Sequence, residues 1–554
     1  MQLKFSARRE GRGLTIPVSG TGGGWIVKLP DARFPGVPEN EQATMRWAEA
    51  SGIDIPEIQW IPVAEISGLP SEASTFGGQT ALAVRRFDRP APGKRVHIEN
   101  VWPLSGIMSK ECGRPTFHLP TADDTIQRMI PRLAISPLQW MRTPYGVLDG
   151  ALTKGYTTFT TRLPVMGSCL VTGDPKLIGE ISRNPDLIGG RGTEALRPVV
   201  GEHSLIALEG ERHRIHRSVL LPHFFSGNAV TINRVSRKWV DALIPQIGRN
   251  EVVHAGEFMA RITLHTIIEL IFGDLPEKRH REAFQLIDAW KSSFSQAAVL
   301  FLKILHVDLG RLSPWGRFLA NRARVHAFIR QRLREVRDAP DGSVFSQIAH
   351  ATPERGEPLS DDEIVSETVT FLLFGHDTTA ASLAWTLTHL LADPAASERA
   401  RTEVLTVGDA PPESFPFLRS AIEESMRLCP VVVHLTRHAI AATQVGPHVV
   451  PRDSRVLPCM YLAHRNPQVF DRASEFVPER FLVDSSRYRH AYFPFGLGDR
   501  VCAGMPMALR QMVLLLGCLF RHGCFALADP AGIRPVRKLV IIVPSGGPLL
   551  RRID

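Results

Sequence analysis

Cys502 stands in the loop Phe495-Gly496-Leu497-Gly498-Asp499-Arg500-Val501-Cys502-Ala503-Gly504, and the apolar run Met505 to Phe520 follows at once. A thiol at a helix start meets free backbone N–H groups and the positive end of the helix dipole. The spacing therefore predicts a lowered Cys502 pKa and a thiolate. Gly498 and Gly504 permit backbone geometry that a β-carbon would block, which leaves room for a flat group against the loop. Arg500, two residues before the sulfur, offers a cation to an acidic edge. A lone cysteine before an apolar helix is usually a small core residue. That bland reading is kept for Cys112, Cys169, Cys429, Cys459, Cys518 and Cys524.

Other polar residues are spaced for joint action. Asp377 and Thr378 lie inside an apolar run, in Phe374-Gly375-His376-Asp377-Thr378-Thr379. Taken alone they would cap or kink a helix. Phe374 precedes Thr378 by four, so the two share a helix face. His213 and Arg217 are also four apart and can reach one anionic group, whereas Arg214 and His216 fall elsewhere and are expected to be exposed. Glu424 and Arg427, at i and i+3, meet on one face.

Helices must carry these groups. Ser360 with Glu363 three residues on is a capping box, and the run it opens continues to Leu391, with Pro394 as the stop. About 30 residues of helix would cross roughly 45 Å. The 554 residues are 44% hydrophobic and 22% charged, an ordinary globular balance that allows one large domain and a smaller one. Seven cysteines without close pairs speak against a disulfide framework or a zinc ribbon. Neither a signal peptide nor a run of about 18 apolar residues is present, so a cytoplasmic protein without a membrane span is expected. The net charge of +9 is scattered along the chain, which points to a solvated surface and away from nucleic acid. Part of the excess suits an acidic electron-transfer partner.

The Cys502 loop resembles, at every defined position, the haem-binding signature Phe-Gly-x-Gly-x-Arg-x-Cys-x-Gly of the cytochrome P450 family. The Phe374–Thr379 segment is similar to that family's oxygen-activating helix, except that Phe374 stands where the family has a small residue. This departure predicts a narrowed or reshaped cavity. Glu424, Arg427 and Arg480, the last in Pro478-Glu479-Arg480-Phe481, resemble the family's structural triad, and His464-Arg465-Asn466-Pro467 its intervening element. The resemblance runs over about 130–554. It implies a mainly α fold with small accessory β-sheets and haem b (protohaem IX) ligated by Cys502 within the loop of Phe495 and Gly504. It further implies propionates held by His213, Arg217, Arg437 and Arg500, with Asp377 and Thr378 delivering protons to bound O2. The implied reaction is insertion of one oxygen atom into an apolar small molecule. About 50 residues follow Cys502, so a separate ferredoxin or flavodoxin and its reductase would supply electrons, with NAD(P)H acting only through the reductase. A peroxide-driven or isomerising enzyme of the same fold is the alternative.

Residues 1–100 are read as β-rich, with one helix near Glu39 to Ser51. Trp25-Ile26-Val27-Lys28-Leu29-Pro30, Pro38-Glu39-Asn40-Glu41 and Arg85-Arg86-Phe87-Asp88-Arg89 resemble the nucleotide-binding lobe of HipA-type kinases, with Lys28 and Glu41 as the phosphate-orienting pair. No catalytic-base loop or later metal-binding aspartate follows. A truncated, non-catalytic α+β lobe is therefore expected over 1–100, joined by a linker (101–129) to the larger region. A nucleotide-binding or partner-binding module is the rival reading of this part.

Overall fold

The alternation Trp25-Ile26-Val27-Lys28 puts Trp25 and Val27 on a buried face and Ile26 and Lys28 on the other. Among the described residues that strand is one of six in the first of two compact units, Met1–His118 and Leu119–Asp554, into which the chain divides. The structure is a computed structural model. In the first unit it describes residues 4–10, 13–16, 25–29, 56–69 and 79–85, with isolated helical positions between 38 and 49. In the second it describes 131–553 apart from 137–138, 141–142, 164–165, 191–192, 194–195, 225–228, 295–305, 354–355, 484 and 546–547.

In the first unit, β1 (Lys4–Glu10), β2 (Gly13–Thr15), β3 (Trp25–Lys28), β4 (Ile58–Pro62), β5 (Ile66–Ser67) and β6 (Thr80–Arg85) form one sheet in the order β4-β6-β3-β1-β2-β5. β3 is central, pairing Phe5 with Val27 on one side and Val27 with Ala83 on the other. Ala7, Leu14, Trp25, Val27, Ile61 and Ala83 build its core. Lys28 lies on β3 as expected, whereas Glu41, Cys112 and the segment Arg86–Arg89 lie outside the described residues.

The second unit is mainly helical. Helices α1 (Gly210–Leu220), α2 (Ala229–Leu243), α3 (Ala255–Phe272), α4 (Glu277–Phe294), α5 (Pro314–Asp338), α6 (Asp361–Phe374), α7 (Asp377–Ala392), α8 (Pro416–Leu428) and α9 (Met505–His522) supply its main layers. One apolar cluster joins α3, α4, α5 and α6, and another joins α2, α7, α8 and α9. The α9 run is buried along Met512 to Phe520 because it packs against both α2 and α8. A five-stranded sheet runs in the order β7 (Thr158–Leu163), β8 (Gly167–Thr172), β14 (Arg455–Pro458), β11 (Arg437–Ala439), β9 (Leu187–Ile188). β10 (Val252–His254), β18 (Leu549–Arg552) and β15 (Phe525–Leu527) form a three-stranded sheet, while β12 (Thr443–Val445) with β13 (His448–Val450) and β16 (Pro535–Lys538) with β17 (Ile541–Pro544) make hairpins. Cys169, Cys429, Cys459 and Cys518 are buried as small core residues.

The expected uninterrupted helix from Ser360 to Leu391 is instead two. α6 ends at Phe374 and α7 starts at Asp377, with Gly375 and His376 between them. The capping box is present: Ser360 accepts from the Glu363 amide, and the Glu363 carboxylate accepts from the Ser360 amide. The break has local causes. The His376 ring donates from Nδ1 to the Leu372 oxygen at 2.6 Å, and Thr263 of α3 donates to the His376 carbonyl at 3.3 Å. The ring thus takes the Leu372 carbonyl that the ladder would offer to the His376 amide, while the His376 carbonyl also accepts the Ala380 amide at 2.9 Å and starts the ladder of α7.

Candidate functional site

The Cys502 loop turns where glycine is required. Gly496 and Gly498 have φ of 83° and 63°, a region that costs other residues strain. Gly504 has φ −84°, and a β-carbon there would touch the Cys502 sulfur at an ordinary 3.9 Å. The expectation that Gly504 serves the backbone is therefore corrected, and the left-handed positions are Gly496 and Gly498. The Cys502 amide donates to the Phe495 oxygen at 2.8 Å, which closes the loop. The thiol accepts from the amides of Gly504 and Met505 at the start of α9 and remains accessible.

Its pKa is raised, not lowered. Although one side of the sulfur stays open, desolvation by the protein packed around it raises the pKa most, and the amides of Gly504 and Met505 with the Arg217 guanidinium only partly oppose this. Desolvation of a charge outweighs a helix terminus when no cation binds the sulfur directly. The site fits a ligand that would supply that cation, as haem iron would.

Four basic groups act on one another around Arg500, and Arg217 among them acts on the sulfur. Arg217 donates to the Val501 oxygen at 2.9 Å. Arg500 donates to the oxygens of Leu205 at 3.1 Å and Leu208 at 2.6 Å, and pairs with Glu209. Arg437 is buried on β11 and donates to the Thr436 oxygen. His213 is buried on α1. Burial lowers the pKa of all four, taking His213 to about 4, and repulsion from Arg500 lowers both His213 and Arg437 further. Glu209 and Asp499 are the carboxylates that act on them. Three guanidiniums, Arg437 buried and Arg217 and Arg500 half-buried, against two carboxylates leave a cation surplus that a dianionic edge would neutralise. The donor set therefore fits haem: a thiol at a helix terminus and a cationic rim for propionates.

At the α6–α7 break, the Thr378 hydroxyl donates to the Phe374 oxygen at 2.8 Å. Asp377 pairs with Lys291 of α4 at 3.2 Å. Lys291 also approaches His376 Nε2 at 3.2 Å. Burial works against the Asp377 charge, but His376, Lys291 and Lys538 together hold its carboxyl below the usual range. Phe374 is half-buried and packs at the edge of the α3–α6 cluster. A β-carbon on Gly375 would come within 2.5 Å of the Phe371 oxygen, so this position tolerates no side chain without a shift.

Away from these groups, Glu424, Arg427 and Arg480 form a buried ionic knot. Arg427 donates to both Glu424 oxygens at 2.8 and 2.9 Å, and Arg480 Nε donates to Glu424 at 3.0 Å. The remaining Arg427 N–H groups reach the carbonyls of His464, Ala473 and Glu475, so the whole guanidinium fork is satisfied. His464 accepts the Phe493 amide at 3.0 Å, which ties this knot to the approach of the cysteine loop.

Arg214 is exposed as expected, but His216 is fully buried, a correction. Its ring lies between Glu367 at 2.6 Å and Glu363 at 3.1 Å. Those partners are about 150 residues downstream, so no local pattern could announce them. Glu209, Lys291 and His376 were also missed. Glu209 directly precedes Gly210 at the start of α1, and His376 sits inside the motif already singled out. Lys291 carries no sequence signal.

A family model described as Cytochrome P450 matches residues 168–544, and one described as HipA-like C-terminal domain matches 1–130. Putative cytochrome P450 135A1 of Mycobacterium tuberculosis is 28% identical over 407 residues, covering 71% of this chain and 88% of that protein. Putative cytochrome P450 138 of Mycobacterium bovis is 28% identical over 411 residues, covering 72% and 90%. Among solved structures, retinoic acid bound cyanobacterial CYP120A1 aligns with a TM-score of 0.66 at 20% identity, over 76% of this chain and 98% of that one. Cytochrome P450 CYP102L1 aligns with a TM-score of 0.63 at 22% identity, over 76% and 98%. At these identities the structural likeness speaks for the fold.

Proposed function

The chain belongs to the cytochrome P450 family and is a haem monooxygenase, and on that premise we propose that it inserts one atom of O2 into an apolar organic substrate. The observation that carries the proposal is the accessible Cys502 thiol at the start of α9 together with a surplus of buried and half-buried cations. Cys502 would hold protohaem, with Phe495 and Gly504 beside it, and His213, Arg217, Arg437 and Arg500 would meet its propionates. Bound there, the group supplies O2 binding and reduction at iron, and a thiolate ligand favours O–O cleavage. Asp377 and Thr378 are assigned to proton delivery, and Phe374 to the shape of the apolar pocket. Glu424, Arg427 and Arg480 hold the frame.

Electrons are proposed to come from NAD(P)H through a reductase and a separate ferredoxin or flavodoxin, in the cytoplasm. Among the described residues, no helix is long and apolar enough to cross a membrane. We assign 130–554 to the haem domain, 101–129 to a linker and 1–100 to a non-catalytic lobe similar to HipA-type kinases. The test is a panel of fatty acids, terpenoids, steroids and polyketides screened by the haem Soret shift. Those that shift are then turned over with NAD(P)H, ferredoxin, reductase and isotopically labelled O2. One labelled atom per product molecule is expected. Product without label, or turnover that needs hydrogen peroxide and ignores NAD(P)H, would overturn the proposal.

A further inference from the structure

We infer that Lys291 and His376 clamp Asp377 and fix where its carboxylate points, which makes Lys291 a positioning residue for proton delivery. The inference rests on the assignment of Asp377 and Thr378 proposed above.

The protonation pattern follows from the geometry. His376 is fully buried. Its Nδ1 lies 2.6 Å from the Leu372 carbonyl oxygen, which can only accept, so Nδ1 carries the hydrogen. Burial takes the imidazole down to about 4, so it is neutral near pH 7 and Nε2 bears a lone pair. Nε2 lies 3.3 Å from Asp377 Oδ1. Both atoms are acceptors and cannot hydrogen-bond to each other. The Lys291 ammonium is 3.2 Å from each and donates to both. The lysine is the shared donor that lets the two acceptors lie together.

Lys291 is held in place from behind. Its neighbour Trp290 is fully buried and packs against Phe294 and Phe318, which anchors this stretch of α4. The Lys291 and Asp377 side chains keep 13% and 23% of their exposure, whereas His376 keeps none. The lysine and carboxylate therefore keep an open side while the imidazole backs them. The Thr378 hydroxyl donates its one proton to the Phe374 oxygen, so it is not shared with Asp377, an acceptor, unless the hydroxyl turns. Lys538 of β16 is the remaining charge that acts on Asp377.

The test uses the full chain and two readouts. Amide hydrogen exchange over residues 374–379 reads the clamp with or without haem. The fraction of reducing equivalents lost as hydrogen peroxide, with its solvent isotope effect, reads proton delivery in the loaded enzyme. Lys291→Met should quicken exchange about tenfold, the worth of one charge-assisted hydrogen bond, and raise the peroxide fraction. Lys291→Arg should restore both. His376→Phe, which keeps a ring but offers no acceptor, should shift both readouts the same way as Lys291→Met. It serves as the second variant if Lys291→Met does not fold. Faster exchange with an unchanged peroxide fraction would reduce the clamp to a structural strap and overturn the inference. Unchanged readouts in Lys291→Met beside a raised peroxide fraction in Thr378→Ala would refute the clamp and leave the proposed function standing. An unmoved peroxide fraction in Thr378→Ala would remove the assignment itself.

Discussion

Arg437 is a buried cation that donates to the carbonyl of the preceding residue, and Arg500 repels it more than Glu209 attracts it. Such a group is poorly placed unless an anion joins it. Arg437→Ala should therefore weaken haem retention without destabilising the haem-free chain. Loss of a hydrogen bond to a charged group is worth about 1.5–3 kcal/mol, so haem transfer to a scavenging globin should quicken roughly ten- to hundredfold. An unchanged transfer rate would remove Arg437 from the propionate set. Phe374 can be tested through products: Phe374→Ala should change regiochemistry or widen the substrate range, and constant product ratios and affinities would sink its assignment to the pocket. The identity of the reactive cysteine was legible in ten consecutive residues. Its pKa was not, because burial depends on distant chain and reversed the local argument from the helix terminus.

Among the elements, the break between α6 and α7 is the feature that local sequence hid. Val369 to Leu391 reads as one apolar run, and the capping box at Ser360 was legible because it is formed within four residues. The stop at Gly375 depends on the His376 ring, which takes the Leu372 carbonyl, and periodicity does not report that. The same holds for His216, whose burial comes from two glutamates on α6. The knot around Arg427 links α8 to the segment leading to the cysteine loop. Since every N–H of its guanidinium is used, Arg427→Met should cost about 3–5 kcal/mol by leaving the buried Glu424 with Arg480 as its remaining cation and the carbonyls of His464, Ala473 and Glu475 without their donor. Denaturant unfolding of the haem-free chain would read it. A loss below about 1 kcal/mol would mean the knot is dispensable.

At the scale of the molecule, two units with separate cores carry two unrelated likenesses, one to cytochrome P450 and one to a HipA-like domain. Both were legible from short motifs. The boundary was less so, because residues 101–129 show no periodicity. The lobe's assignment as non-catalytic predicts that the full chain transfers no phosphoryl group from ATP, and labelled γ-phosphate appearing on any protein substrate would contradict it. The central claim is narrower: Cys502 holds a haem as its thiolate ligand. The direct measurement is the difference spectrum of the reduced, carbon-monoxide-bound full chain and its Cys502→Ala variant. The account predicts the red-shifted Soret band that gives the family its name in the parent and its absence in the variant. A parent lacking that band, or a variant that keeps it, would contradict the account.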